Sequence, residues 1–297
     1  MKIKRVLTQN LLLIIALLAA FISYLSYEQE SPNRVIFLDV GQGDAALIQS
    51  EELNILVDGG PSSEIIYKLD SYLKPFDREI DYIVLTHPHA DHMAGLLEVI
   101  ERYKVGHLII NPVCYKSELY KALLERVDTS IVAAPEALED ASTTNLQFNI
   151  VWPIEEEGTA NTTSPDSTEN IDFTCPIGET GNEPNFDENL NNDSIVFELD
   201  TPSSDFLFMG DAELEVESAL LQSGFSEDIN ILKAGHHCSK TSNSESWLLQ
   251  VKPEMVICSV GKGNDYGHPS KEVIERFKKL GISYKITYNE GDIMVNF

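Results

Sequence analysis

Four side chains of metal-binding type lie within six consecutive positions, in the segment LTHPHADHMAG, as His87, His89, Asp91 and His92. The His-x-His spacing lets two imidazoles on an extended loop reach one ion, while Asp91 and His92 could reach a second ion nearby. Neutral imidazole nitrogens and carboxylate oxygens suit zinc, manganese and iron. The segment therefore predicts a metal site between a strand and the helix that follows it.

The remaining histidines are placed in a similar way. Six of the seven follow apolar runs in polar, glycine-rich contexts, namely His87, His89, His92, His236, His237 and His268. His107, within VGHLII, is interpreted as a lone strand residue. Asp211 follows the apolar run FLFMG, where a carboxylate could bridge two ions, and the same residue could instead cap the next helix.

The elements that must position these residues alternate along the chain. Thirteen short runs rich in β-branched residues, from VIFLDVG near the start to DIMVNF at the end, predict strands. Amphipathic patterns predict helices at Glu64–Leu73, His92–Tyr103, Ser117–Val127, Leu214–Leu221, Glu245–Val251 and Lys271–Leu280. This alternation predicts a layered α/β fold. An acidic insertion at about 155–192 has almost no apolar periodicity and is interpreted as a long loop.

Further motifs accompany HPHADH in a defined order. FLDVGQGDAALI and LVDGG precede it, and FLFMGDAE, ILKAGHHCSKTS and VGKGNDYGHPS follow it. Together they resemble the metallo-β-lactamase superfamily, in particular the extracellular hydrolase domain of the ComEC competence proteins and its free-standing exported relatives. The resemblance covers about residues 33–297. It implies an αββα four-layer sandwich with a dinuclear metal site at one edge.

The resemblance also implies roles for individual residues. The implied metal ligands are His87 and His89 for the first ion, Asp91, His92 and His237 for the second ion, and Asp211 as the bridge between them. Asp58, in LVDGG, would orient a metal-binding histidine without contacting the metal. The expected cofactors are two divalent ions, zinc or manganese.

The chain departs from the family pattern at the first ion. Most members supply a third histidine from a loop before the bridging Asp, but no histidine occurs between His107 and His236. Either Asn192 or Asp193, in NNDSIVF, could supply an oxygen, or the ion is weakly held. Oxygen ligation would favour manganese or another hard ion.

Cysteine use departs from the family pattern as well. Cys238 stands where relatives usually have glycine, and it is interpreted as a tolerated small residue. Cys258, in MVICSV, is interpreted as a small buried hydrophobe. The four cysteines would permit two disulfides in an exported protein, but their spacing forms no recognisable framework, so no bridge is predicted.

A hydrolytic mechanism follows from the expected site. A hydroxide generated by the metals near Asp91 and Asp211 would attack a phosphodiester phosphorus, and His236 or His268 would protonate the leaving oxygen. Asp91, His236 and His268 are therefore the candidate catalytic residues. Residues expected to bind substrate are Gln42, Asp44, Ser239 and Lys240.

Other functions stay open at this stage. The chain could be a β-lactamase or another amide or ester hydrolase, although the missing third histidine and the His pair argue against this. It could also be a non-catalytic metal-binding module, but a short ligand set favours an open catalytic position. Single-stranded DNA, nucleotides, small phosphodiesters and cell-envelope teichoic acid all fit as substrates, and no obligate protein partner is implied.

The N-terminal segment predicts a membrane signal. Lys2, Lys4 and Arg5 precede the apolar run from Leu11 to Leu25, and no convincing cleavage site follows, so an uncleaved anchor is favoured over a signal peptide. Residues 1–30 would then form the anchor or signal and a linker, and residues 31–297 a bacterial hydrolase domain at the extracellular face of the cytoplasmic membrane, or secreted if cleaved. The net charge of -27 disfavours non-specific binding to polyanions.

Overall fold

The computed structural model describes residues 10–21, 33–113, 115–153 and 189–297. Residues 10–21 form helix α1, and their side chains are exposed. None of the helices in these ranges combines the length and the hydrophobicity needed to span a membrane. The remainder of the predicted N-terminal signal, and most of the acidic insertion at 155–192, lie outside the described residues.

Thirteen strands occur in the described residues, one for each predicted run. Their bounds are β1 Arg34–Phe37, β2 Ala46–Gln49, β3 Asn54–Val57, β4 Glu79–Leu85, β5 Lys104–Ile110, β6 Val132–Ala133, β7 Gln147–Trp152, β8 Val196–Asp200, β9 Asp205–Phe208, β10 Ile231–Lys233, β11 Met255–Cys258, β12 Ser283–Ile286 and β13 Ile293–Asn296.

The predicted helices are also present, each within two residues of its expected ends. Their bounds are α2 Glu64–Tyr72, α3 Ala90–Arg102, α4 Glu118–Arg126, α5 Leu214–Ser223, α6 Glu245–Val251 and α7 Lys271–Leu280. A short helix α8, Thr287–Glu290, and a 3-10 helix, Pro135–Ala141, were not predicted. Helix α8 is too short to produce a clear helical repeat, and the 3-10 helix has three residues per turn, which differs from the repeat of an amphipathic α-helix.

The strands form two sheets of similar design. The first sheet has the order β13-β1-β2-β3-β4-β5-β6 and the second has the order β12-β11-β10-β9-β8-β7. In the first sheet the strand pairs β13–β1, β1–β2 and β2–β3 are antiparallel, and the pairs β3–β4, β4–β5 and β5–β6 are parallel. In the second sheet β7 to β9 are antiparallel and β9 to β12 are parallel. The carboxyl ends of the parallel strands carry the loops that form the candidate site.

Alternating side chains divide the core into layers. In β1, Ile36 packs in the cluster that holds Ile65 of α2, whereas Phe37 faces the other sheet. There its ring stacks on Phe208 of β9 at a centroid distance of 5.7 Å. Full burial of a phenylalanine typically contributes about 1.5–3 kcal/mol to stability. A third cluster, which includes Trp247, joins the second sheet to α5, α6 and α7. The predicted αββα sandwich is confirmed.

Candidate metal centre

The candidate metal centre combines loops from both sheets. His87 follows β4 of the first sheet, whereas Asp211 follows β9 and His237 follows β10 of the second. The Nε2 atom of His87 lies 3.8 Å from Oδ2 of Asp211. Residues that are distant in sequence therefore meet at one edge of the sandwich, where the carboxyl ends of strands from the two sheets lie close together.

Asp211 lies at the middle of the cluster. Its Oδ1 atom is 3.3 Å from Nε2 of His92, and its Oδ2 atom is 3.3 Å from Nε2 of His237. The same nitrogen of His237 lies 3.3 Å from Oδ2 of Asp91. Glu213, and not Asp211, precedes helix α5 at its N-cap position. Asp211 is thus not the helix cap, and its carboxylate lies between the imidazoles of His92 and His237.

The cluster has the properties of a cation site. Among the residues that the structure describes, Nε2 of His92, Nε2 of His237 and Oδ1 of Asp211 are buried without a hydrogen-bond partner. Buried polar atoms without partners are rare because desolvation is costly. These three converge on one point and consist of nitrogen and carboxylate oxygen, the donor atoms that zinc and manganese accept. The residues therefore fit a divalent ion.

His87 and His89 form the other part of the centre. Nε2 of His87 lies 3.0 Å from Nδ1 of His89. Burial lowers the pKa of both imidazoles, that of His87 well below its usual value. Both rings are therefore neutral at neutral pH, which is the form that binds a metal ion.

The histidines near Asp211 experience the opposite effect. Burial disfavours the charged form of His92, but Asp211 and Asp58 outweigh it and hold the pKa of His92 well above its usual value. In the same way, Asp211 and Asp44 outweigh burial and raise the pKa of His237. Although burial opposes ionisation of Asp91, His237 and His92 lower the pKa of its carboxyl to about 2. The carboxylates thus raise the pKa values of the two imidazoles, and the imidazoles in turn keep Asp91 ionised, so the centre holds anionic oxygens of the kind that bind divalent cations.

Asp58 is placed as the resemblance implied. Its Oδ2 atom lies 2.7 Å from Nδ1 of His92, so the opposite nitrogen of that ring faces Asp211. Thr86 donates to Asp58 from its backbone N–H and from its hydroxyl, both at 2.8 Å. Asp58 itself has a left-handed φ of 56°. Such strain is common at functional sites, where the surroundings hold a residue in an unfavourable conformation.

Asp44 lies on the far side of His237, which corrects its expected role in substrate binding. The carboxylate is buried, with Oδ1 at 3.1 Å from Nδ1 of His237 and Oδ2 paired with the buried ammonium of Lys233. One carboxylate oxygen of Asp44 also lies within 4.8 Å of potential ligand atoms of His92, Asp211 and His237. Among the described residues its Oδ1 atom is buried without a hydrogen-bond partner, so Asp44 could orient His237 or contribute an oxygen to the cation site.

His237 has a second acceptor on the same side. Its Nδ1 atom lies 3.0 Å from the carbonyl oxygen of Ser259, which directly follows β11. The hydrogen bond of this nitrogen therefore goes to the carbonyl, while the Asp44 carboxylate lies beside it as a charged neighbour. Carbonyl or carboxylate partners of this type orient metal-binding histidines in many proteins and raise their basicity.

Two more residues expected to contact substrate or metal point elsewhere. Ser239 is buried, and its hydroxyl lies 3.0 Å from that of Thr241 within the same loop, so its role in substrate binding stays a prediction. The amide oxygen of Asn192 accepts from the backbone N–H of Glu213 at 3.1 Å. That bond directs the Asn192 side chain to the start of α5, and its role as an oxygen ligand stays a prediction.

The other candidates remain predictions. The backbone carbonyl of Asp193 accepts from Nδ2 of Asn111 at 2.9 Å, which leaves the metal role of the Asp193 side chain untested. Oε1 of Gln42 accepts from the N–H of Gly261, and Lys240 is exposed beside the histidine turn. His107 is an exposed residue of β5 stacked on Tyr82, in agreement with its interpretation as a lone strand residue.

Glu213 is a residue of the centre that sequence reasoning missed. Its Oε1 atom lies 2.8 Å from Nδ1 of His236, and Nε2 of His236 is 3.9 Å from Oδ2 of Asp211. The ring of His268 lies 5.4 Å from that of His236, between ring centroids. The motif GDAE did contain a signal, because this second carboxylate follows the bridging Asp by two positions.

A disulfide joins Cys238 to Cys258, which corrects the prediction that no bridge forms. Both residues are completely buried, with a Cα–Cα distance of 5.7 Å and a sequence separation of 20. Cys238 is therefore neither a metal ligand nor merely a tolerated small residue. The pairing depends on the neighbouring positions of β10 and β11, which the spacing of the cysteines does not reveal.

A glycine allows the loop before β2 to approach the metal-binding loop. Gly43 has a φ of 143°, and a Cβ atom there would lie 2.1 Å from the backbone oxygen of Asp91. The next residue, Asp44, donates its N–H to that oxygen at 3.3 Å. Any side chain at position 43 would force these loops apart, since only glycine avoids both the clash and the strained φ.

Two sheets between helices define the metallo-β-lactamase fold, and the histidine-rich loop with a carboxylate between imidazoles forms a candidate metal centre at its edge. Residues 38–261 match the family described as the metallo-beta-lactamase superfamily, and the chain belongs to that superfamily. The predicted family is therefore confirmed.

Competence and recombination proteins are among the relatives. The chain is 25% identical over 293 residues to ComE operon protein 3 of Bacillus subtilis, covering 90% of this chain and 33% of that protein. It is 27% identical over 264 residues to Recombination protein 2 of Haemophilus influenzae, covering 88% of this chain and 28% of that protein. The chain thus spans about a third of the length of these relatives.

The fold is also found among solved structures. The metallo-beta-lactamase fold protein YhfI from Bacillus subtilis matches with a TM-score of 0.51 at 12% identity, over 90% of this chain and 99% of that chain. At this identity the likeness concerns the fold alone.

Proposed function

We propose that the chain is an exported, metal-dependent phosphodiesterase that acts on nucleic acid. The observation that carries the proposal is the place of Asp211, whose two oxygens lie 3.3 Å from His92 and from His237. His87 approaches the same carboxylate from the other side, at 3.8 Å. A carboxylate between groups of imidazoles can bridge two divalent ions, and two-ion sites suit phosphoryl centres.

The proposed ligands are six side chains, namely Asp211 and five side chains near it. They are His87 and His89 for one ion, Asp91, His92 and His237 for the other, and Asp211 for both. Bound ions would polarise the phosphate and lower the pKa of a water molecule toward about 7. Zinc and manganese both suit this donor set.

His236 is the better placed proton donor for the leaving oxygen. Glu213 holds its Nδ1 atom, so that Nε2 faces the centre at 3.9 Å from Asp211. His268, the alternative donor, is half-buried, and burial together with His236 and His237 lowers its pKa to about 4. At neutral pH this imidazole is therefore neutral, and a neutral imidazole is a poor general acid. We assign His268 to accepting a proton or to positioning the substrate.

The substrate class rests on relatives and on chemistry. One relative is named for recombination, and the resemblance to competence proteins also concerns the handling of DNA. Lys240, exposed next to the histidine turn, could contact a phosphate. Because the net charge is -27, binding is expected to depend on the metal centre and not on a long basic groove.

The proposed location outside the cytoplasm has two supports. The N-terminal segment, residues 1–30, has the composition of a signal or anchor, and residues 31–297 would be the hydrolase domain. The disulfide between Cys238 and Cys258 suits an oxidising compartment. We propose the extracellular face of a bacterial membrane.

The test compares substrates under defined metals. The metal-free chain is supplied with zinc or manganese and assayed against single-stranded DNA, bis-p-nitrophenyl phosphate, teichoic acid and nitrocefin. The expected result is metal-dependent cleavage of DNA and of the phosphodiester, with no turnover of nitrocefin. Turnover of nitrocefin alone would contradict the phosphodiesterase assignment, whereas cleavage of teichoic acid without DNA would contradict the substrate class.

A further inference from the structure

The disulfide completes a ring of covalent bonds and one hydrogen bond that includes His237, the proposed metal ligand. Cys238 directly follows His237, and Cys258 directly precedes Ser259, whose carbonyl accepts from Nδ1 of His237 at 3.0 Å. The covalent bond between the cysteines therefore connects this ligand to the backbone group that orients it. The ring is buried, since Cys238, Cys258 and His237 are at most 1% exposed.

The turn that carries the histidine has an unusual backbone. His236, His237 and Cys238 have φ values of 44°, 51° and 61°, so three consecutive residues other than glycine are left-handed. For such residues this conformation is unfavourable, because Cβ approaches the following carbonyl oxygen. It persists only where neighbouring structure enforces it. Cys238 is the last of the three, and the disulfide fixes it to the end of β11.

Local hydrogen bonds hold the rest of the turn. The N–H of His236 donates to the carbonyl of Gly210 at 3.2 Å, and the N–H of Ser270 donates to the carbonyl of Cys238 at 2.9 Å. These bonds involve backbone groups and would survive a change of side chain at position 238. Removal of the disulfide therefore alters one constraint on the turn and leaves these hydrogen bonds available.

We propose that the Cys238–Cys258 disulfide positions His237. The disulfide holds the left-handed turn at residue 238, where glycine would otherwise be needed. Cys238 and Cys258 are positioning residues in this scheme, since neither has a free thiol to contact metal or substrate. The inference depends on metal binding by His237 and does not depend on the proposed substrate.

The test separates the conformation of the turn from the general effect of a cross-link. Two variants lack the disulfide and differ by one methyl group, namely Cys238→Ala/Cys258→Ala and Cys238→Gly/Cys258→Ala. Both are made in the full chain with His87→Ala, so that the ion bound through His237 is measured. Cobalt(II) is the probe, titrated into metal-free protein in competition with a chelator and followed by its visible absorption.

The alanine pair is expected to bind cobalt about 10–100-fold more weakly than the disulfide-bonded protein, the usual effect of losing a group that orients a ligand. The glycine pair is expected to recover to within about threefold, because glycine adopts positive φ without strain. Urea unfolding of the metal-free proteins should show that both pairs have lost stability. Affinity and stability would then separate, which a purely structural cross-link would not produce.

Either of two results would overturn the proposal: equal cobalt affinities in all three proteins, or an equal loss in both pairs. If the alanine pair does not fold, Cys238→Asn/Cys258→Ala replaces it, since asparagine tolerates the left-handed region better than alanine. Its affinity should then fall below that of the glycine pair. Because no substrate is present, failure of the proposed phosphodiesterase activity would leave these measurements unaffected.

Discussion

The carboxylate of Asp58 lies 2.7 Å from Nδ1 of His92 and is itself fixed by two hydrogen bonds from Thr86. The contact decides which nitrogen of His92 carries a proton. With Nδ1 donating to Asp58, Nε2 is the nitrogen that faces Asp211, and it would bind an ion there on losing its proton.

Asp58→Asn is expected to weaken metal binding about 10–100-fold, because the amide is a weaker acceptor that no longer fixes the tautomer of His92. The measurement is a cobalt or zinc titration in competition with a chelator. Asp140→Asn is the matched control, since Asp140 is exposed on the 3-10 helix. Wild-type affinity in Asp58→Asn would contradict the orienting role.

His89→Ala should reduce turnover of bis-p-nitrophenyl phosphate by at least about 100-fold, because loss of a ligand costs more than loss of its orienting partner. His107→Ala is the matched control, as His107 is exposed on β5 and stacks on Tyr82. Steady-state rates at saturating manganese and zinc give the comparison. Full activity in His89→Ala would exclude His89 from the first ion.

Metal removal should lower thermal stability. An ion at about 100 times its Kd stabilises the folded state by about 2.7 kcal/mol, which corresponds to roughly 5–10 °C in Tm for a domain of this size. The physical reason is that Nε2 of His92 and of His237 gain a partner in the loaded protein. Calorimetry with and without a chelator gives the shift, and an unchanged Tm would contradict metal binding at the buried cluster.

The pKa of Glu198 predicts a pH dependence away from the metal centre. Burial, with the nearby charges of Asp200, Glu227 and Asp205, raises the pKa of this half-buried carboxyl from 4.5 to about 7. The folded chain therefore keeps a proton that the unfolded chain loses above pH 4.5. The resulting stability is present in full below pH 4.5 and is lost as the pH rises through about 7.

Glu198→Gln should remove this dependence. The variant is expected to be more stable than the wild type at pH 8 by an amount on the order of 1 kcal/mol, since solvent screens a half-buried group. At pH 4 the two proteins should have similar free energies of unfolding. Urea unfolding at both pH values measures the difference, with exposed Glu136→Gln as control. A gain that is equal at both pH values would argue against titration of Glu198.

Lys233→Met tests the buried ion pair behind His237. Lys233 and Asp44 are both almost completely buried, so the variant leaves a buried carboxylate without its lysine partner. Loss of one member of a buried pair typically costs about 3–5 kcal/mol. Urea unfolding of the metal-free proteins measures the change, and a cost below about 1 kcal/mol would show that Asp44 is neutralised by other means.

The sequence predicted the strands well because each short β-branched run ends in turn residues. It also predicted which side chains meet at the candidate site, since the histidine motif and Asp211 both follow strands. It did not reveal that Asp44 lies behind His237, because a loop residue can face either side of a neighbouring ring. The disulfide was missed for a related reason, as contact between the ends of β10 and β11 is a property of the sheet and not of local spacing.

The candidate metal centre takes His87, His89, Asp91 and His92 from the first half of the chain and Asp211 and His237 from the second. Neither half carries the complete proposed ligand set, so under the proposed function a growing polypeptide could not hold both ions until the two sheets had formed and docked. Metal loading would then follow docking of the sheets. It would take place in the compartment where folding is completed, and the metal available there would decide which ion is acquired.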